Sequence, residues 1–204
     1  MKLGLRTPFV LIALLAVSPS LGAQSTAGAR LATQVCAACH GPRGESISPA
    51  FPKLAGQQAD YIQAQLKAFR DRSRGDPMAQ AFMWGMASQL TDGQITELAA
   101  YYAGQKPPTG KPGDSKVTAS GRDIYAKGIP SANVMACATC HLEHGEGNTM
   151  IPRVAGQHLE YLVKQLVMFK SELRAGAFAP IMHTNTTGLT FEQMEAVAAY
   201  LSSQ

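Results

Sequence analysis

The four cysteines of this 204-residue chain fall into two matching units, Cys36-Ala-Ala-Cys39-His40 and Cys137-Ala-Thr-Cys140-His141, with none left over. The spacing has a chemical meaning. On a helical turn, residues i, i+3 and i+4 share a face. Two thiols can then reach the two vinyl groups of one porphyrin, and the histidine beside the second thiol can reach its iron. This is the haem c attachment pattern. Cys36, Cys39, Cys137 and Cys140 are therefore expected as thioether anchors of two haem c groups, with His40 and His141 as proximal ligands. A zinc ribbon would bring two C-x-x-C pairs within about 15–20 residues of each other, and here the halves of the chain separate them. A thioredoxin-like pair needs a βαβ context, which the sequence does not offer. Two disulfides, the default for four cysteines in an exported chain, would leave the histidines unexplained.

A methionine or histidine on the far side would complete a low-spin iron suited to electron transfer. The first half offers Met78, Met83 and Met86. The second offers Met150, Met168, Met182 and Met194, with His144, His158 and His183. Most methionines are packing residues, so the choice needs a second criterion, and an internal repeat supplies it. Cys36, Cys39 and His40 recur 101 positions later, and Pro52-x-x-Ala55-Gly56-Gln57 recurs 100 positions later as Pro152-x-x-Ala155-Gly156-Gln157. Tyr61, Gln65, Leu66 and Phe69 match Tyr161, Gln165, Leu166 and Phe169. From Met83 the offset is 99, pairing Met83 with Met182, Leu90 with Leu189 and Thr91 with Thr190. Met78, Met86 and His183 face Ala177, Asn185 and Trp84 in the other half. Met83 and Met182 are thus the expected distal ligands, each in a loop before a final helix. Metal-bound histidines usually donate their second ring N–H to an acceptor. The carbonyls of Pro52 and Pro152 are candidates for that role.

The elements that position these residues read as helices. Short helices are expected over 28–34 and 120–127, each leading into a C-x-x-C-H turn. Longer ones follow each Ala-Gly-Gln, with Tyr61, Ile62, Leu66, Phe69 and Tyr161, Leu162, Leu166, Phe169 at helical spacing. Thr91-x-x-Gln94 and Thr190-x-x-Gln193 have the form of capping boxes that open the last helix of each half. No alternating strand pattern is present. The repeat sets two domains, 24–105 and 115–204, joined by an extended linker, 106–114, with three prolines and two glycines. Each domain is small enough to need a large central cofactor for stability.

Residues 1–23 read as a signal peptide: Lys2 and Arg6, an apolar run from Pro8 to Val17, and small residues up to Ala23. That run is too short to span a bilayer, which takes about 20 residues. Without Lys2 and Arg6 the formal charge of +4 falls to +2, and no basic cluster is dense enough for nucleic acid. Arg70, Arg72 and Arg74, interleaved with Asp71 and Asp76, read as a solvated helix end.

These motifs resemble the cytochrome c4 family, periplasmic dihaem proteins built from two class I cytochrome c domains. The likeness rests on CAACHG, FPKLAGQ and FMWGMASQLTD in the first half. In the second it rests on CATCH, IPRVAGQHLEYLVKQL and the segment from Met182 to Leu201. It implies an all-α fold of two tandem domains, each wrapped around one haem. It implies His/Met ligation by His40 with Met83 and His141 with Met182, with Pro52 and Pro152 bonding the histidines. It implies an electron carrier rather than an enzyme, soluble or loosely attached to the membrane in the periplasm. Its partners would be redox proteins, a respiratory donor complex and a terminal oxidase. Two departures stand out: Gly85 follows Met83 by two residues where Thr184 follows Met182, and the run from Ala175 to Thr187 is unusual. The competing reading is a dihaem electron-accepting or catalytic subunit of a periplasmic dehydrogenase. Catalysis at iron needs an open coordination position, which two methionine ligands would close.

Overall fold

The computed structural model describes residues 26–204; the expected signal peptide lies outside them. Described residues form helices and loops, with two isolated β-bridges, Ile129–Val134 and Asn148–Ile151, as the extended pairing. No helix among them is long and apolar enough to cross a membrane.

In the first half, α1 (Thr26–Leu31) runs through a π-helical turn (Ala32–Cys36) into α2 (Ala37–His40). Then come α3 (Ala59–Arg70), a second π-helical turn (Ala79–Met83), α4 (Trp84–Ala87) and α5 (Asp92–Ala103). The second half repeats this as α6 (Ser115–Lys127), α7 (Ala138–His141), α8 (Leu159–Lys170), α9 (Ala179–Thr187) and α10 (Phe191–Ser202). Both expected capping boxes form: Thr91 and Gln94 exchange side chain-to-backbone bonds, and so do Thr190 and Gln193.

The first and last helices of each half cross closely because a glycine lies at the crossing. A Cβ on Gly28 would stand 2.6 Å from the Glu97 carbonyl oxygen, and one on Gly121 1.8 Å from that of Ala196. Around these crossings pack Ala32, Ile62, Leu98, Ala99 and Tyr102 in the first half, and Tyr125, Leu162, Val197, Ala198 and Leu201 in the second. Burying such side chains contributes about 1.5–3 kcal/mol each for the larger ones.

Two expectations need correction. Met83 and Met182 lie not in loops but in helical segments, because Pro77 and Pro180 set helical φ at the start of each segment. The first helix of the second half does not lead directly into its cysteine turn. Residues 128–136 intervene, with a 3₁₀ turn at Pro130–Ala132. The segment 106–114 is extended and packs against both halves. Pro107 packs where a Cβ on Gly56 would sit, at 2.5 Å, and Pro108 does the same at Gly156, its carbonyl oxygen at 2.6 Å. Gly56 (φ 66°) and Gly156 (φ 69°) hold left-handed turns that a side chain would strain. Gly110 N–H then donates to the Gln204 carbonyl at 2.6 Å. The segment is a strap across both Ala-Gly-Gln turns.

Candidate haem-binding sites

Each Cys-x-x-Cys-His unit ends on a short helix, α2 or α7, which brings its thiols and imidazole to one face. The four cysteines are unpaired thiols. Burial pushes the Cys36 thiol up and that of Cys137 up to about 11. Neither is the low-pKa thiolate of a dithiol redox enzyme.

The proximal histidines are held alike. His40 Nδ1 lies 2.9 Å from the Pro52 carbonyl oxygen and His141 Nδ1 3.0 Å from that of Pro152. A carbonyl only accepts, so in each ring Nδ1 carries the proton. Burial draws both imidazoles below the ordinary histidine range, with the carbonyl bond opposing it in part. The neutral ring keeps its Nε2 lone pair for a metal. Phe51 stands edge-on to His40, and Phe82 edge-on to Phe51. Tied Nδ1, a free Nε2, two thiols on the same face and aromatic or aliphatic neighbours suit haem c. They suit no ionic cluster: among the described residues no group of three His, Cys, Asp or Glu could hold a metal ion.

The distal candidates separate by their surroundings. Met83 is half-buried against the cluster of Phe69, Ala79 and Ala87, whereas Met86 is 48% exposed. Met194 is buried in the core with Val134 and Leu189. His183 shows why its type differs from Trp84 at the same repeat position. Trp84 Nε1 donates to the Arg74 carbonyl at 2.8 Å, and His183 Nε2 lies 2.9 Å from the Arg174 carbonyl oxygen. Both rings serve the same backbone tie, which engages His183 away from metal binding. His183→Ala is expected to cost about 1 kcal/mol of stability for the lost bond and to leave the haem absorption spectrum of the second domain unchanged in a visible-range scan. His144 is exposed, its backbone N–H bonded to Glu146.

One reading of the sequence fails at Arg74. Arg70 bonds Asp71 and Asp92 at the surface as expected, but Arg74 is 7% exposed and Asp76 fully buried. Arg74 Nε donates to Asp76 at 2.8 Å, and its guanidinium lies over the Phe69 ring. Arg174, its repeat partner, is equally buried, over Phe169. The two meet at the junction of the domains. Gln65 Oε1 accepts from Arg74 at 2.6 Å and from Arg174 at 3.3 Å. Gln165 Oε1 accepts from Arg174 at 2.5 Å and from Arg74 at 3.3 Å. Arg174 also donates to Tyr61 Oη at 2.7 Å. Burial alone would raise the Tyr61 phenol, but the charges of Arg174 and Arg74 bring it below its ordinary value. The sequence signal for this cluster was the recurrence of Arg at a 100-residue offset, in a segment that otherwise looks solvated.

A second set of bonds crosses the junction through the Ala-Gly-Gln turns. Gln157 Oε1 accepts from Lys53 N–H at 2.9 Å while its Nε2 donates to the Lys53 carbonyl at 3.0 Å. Gln57 returns the same pair to Arg153, at 2.8 Å each. Lys53 Nζ adds a bond to the Gly156 carbonyl at 2.6 Å.

The model of the family described as cytochrome c matches residues 25–105 and again 119–204. The chain is similar to cytochrome c-552 of Acidithiobacillus ferridurans, 39% identical over 82% of this chain and 73% of that protein. It is similar to cytochrome c4 of Thiocapsa roseopersicina, 37% identical over 91% and 95%. A solved cytochrome c4 structure from Acidithiobacillus ferrooxidans superposes with a TM-score of 0.77 at 38% identity, covering 83% of this chain and 98% of that one.

Proposed function

The chain belongs to the cytochrome c family, and from that premise we propose that Met83 and Met182 complete the two irons, in domains bounded at 24–105 and 115–204. The protein is a dihaem electron carrier of the cytochrome c4 kind, not an enzyme, and carries two covalently attached haem c groups. The observation that carries the ligand reading is the match between the halves: two imidazoles on proline carbonyls at 2.9 and 3.0 Å, each with a methionine at the same repeat position.

The haem supplies a one-electron couple at its iron. The chain does the rest. The thiols fix the group covalently, so it is not lost on reduction. The proline carbonyls hold the imidazoles in one tautomer and one plane. Met83 and Met182 would hold the iron through their thioethers, which would favour its reduced form and suit transfer toward a strong oxidant. With His40 and Met83 holding one iron and His141 and Met182 the other, no position would be left for a substrate, as a carrier requires. The reading extends to the periplasm, with a respiratory donor complex and a terminal oxidase as redox partners. The leader-like residues from Lys2 to Ala23 support it.

The test is stoichiometry. After acid–acetone extraction, the intact mass is expected to exceed that of the mature polypeptide by two haems, with no disulfide. A mass carrying one haem or none would overturn the assignment of Cys36, Cys39, Cys137 and Cys140.

A further inference from the structure

The bonds across the junction end next to the histidines. Pro52, whose carbonyl holds His40, is followed by Lys53, whose N–H and C=O are both taken by Gln157 of the other domain. Pro has no N–H, so in this dipeptide the histidine bond is the one tie to its own domain that the backbone makes. The chain rejoins its own domain at Leu54, whose N–H donates to the Gly44 carbonyl at 2.7 Å. The mirror arrangement holds. Pro152 bonds His141, Arg153 gives its N–H and C=O to Gln57, and Val154 N–H returns to Gly145 at 2.8 Å. Gln57 and Gln157 are 8% and 7% exposed. Each amide is flat and two-pronged, so it fixes the position and tilt of the residue it grips, through the N–H of one peptide unit and the C=O of the next. The first of those two units contains the proline carbonyl that sets the imidazole.

We infer that Gln57 and Gln157 are crossed positioning residues: Gln157 sets the strength of the Pro52–His40 bond in domain one, and Gln57 that of the Pro152–His141 bond in domain two. The inference rests on the haem reading above. A firm Nδ1–H···O bond makes the opposite nitrogen, Nε2, a stronger donor to metal. That favours oxidised iron and lowers the potential. A loosened bond weakens Nε2 and raises it. The role is neither contact with a haem nor general stability, because its effect appears in the domain that does not contain the altered residue.

The experiment uses the full holoprotein. Spectroelectrochemical titration gives the two potentials, and paramagnetic proton NMR assigns them to domains by the shifts of their axial ligands. Gln157→Leu is expected to raise the potential of the His40 site and leave the His141 site in place. Gln57→Leu should do the reverse. Gln157→Glu keeps the length and the acceptor for Lys53 N–H but loses the donor to the Lys53 carbonyl, so it should shift the same site by less. It also serves if the leucine variant does not fold. Faster amide exchange at Lys53 in Gln157→Leu, and at Arg153 in Gln57→Leu, is a readout independent of iron. A shift confined to the haem of the mutated domain, equal shifts in both, or none with the amide exchange unchanged would each overturn the inference. A chain that carries no haem would instead overturn the functional reading.

Discussion

Met83→Ala is expected to remove about half of the methionine-to-iron absorbance and leave one of the two haems high-spin or open to added ligands. Met182→Ala should do the same to the other. The size of the effect follows from the chemistry. Alanine cannot coordinate, so on the proposed ligation the iron would lose a ligand outright, and with it a thioether that would hold its potential high. The geometry makes the result specific. Met83 is half-buried beside Trp84 in the cluster of Phe69, Ala79 and Ala87, and Trp84 is itself tied to the Arg74 carbonyl. The helical turn carrying the methionine is therefore anchored on both sides, and a neighbour cannot readily take its place. Met86, 48% exposed, is the control: Met86→Leu should leave the spectrum nearly unchanged. A bleached methionine band in Met86→Leu, with Met83→Ala normal, would move the ligand by one turn.

The second large effect concerns stability. Asp76→Ala should cost about 3–5 kcal/mol, the usual consequence of stranding one charge of a buried pair. Arg74 would remain 7% exposed with no carboxylate in reach among the described residues. Asp76 also accepts from Ala79 N–H at 3.1 Å, so the start of the segment that carries Met83 would lose its cap. Arg74→Met with Asp76→Ala together should recover much of the loss, since a well-packed apolar pair often equals a buried ionic one. Denaturant midpoints of the holoprotein give the comparison. Equal destabilisation by the single and double variants would show that the charge is not the cause.

Much of this was legible in the sequence because the repeat doubles every signal. The cysteine units, the Ala-Gly-Gln turns and the capping boxes each occur twice at nearly constant offset, and local chemistry alone predicts what they form. Arg74 was misread because burial is a tertiary property. Its neighbours Arg70, Asp71 and Arg72 are surface residues, and only the arrival of Arg174, Gln165 and Tyr61 from elsewhere removes it from water. Composition identifies 106–114 as an extended linker, whereas the packing of Pro107 and Pro108 depends on two glycine turns about a hundred residues apart. The helix around Met182 is hard to see in the sequence because AGAFAPIMHTNTTG contains two glycines, a proline and several β-branched residues of weak helix propensity. The Trp84 and His183 ties and the prolines outweigh that preference.

The returned bonds between Gln57 and Arg153 and between Gln157 and Lys53 have the form of an isologous contact, the kind two separate identical subunits make about a two-fold axis. Two half-length chains would have to meet by diffusion to make it. The strap converts that meeting into an intramolecular one, at an effective concentration on the order of millimolar for a short connection, so the pair persists at any dilution. Tethering also lifts a constraint of symmetry. In a homodimer every substitution appears on both sides of the axis. In one continuous chain a carboxylate can stand at Asp76 while Ala175 and Gly176 occupy the corresponding stretch, and two halves with a common architecture are free to become electrically different.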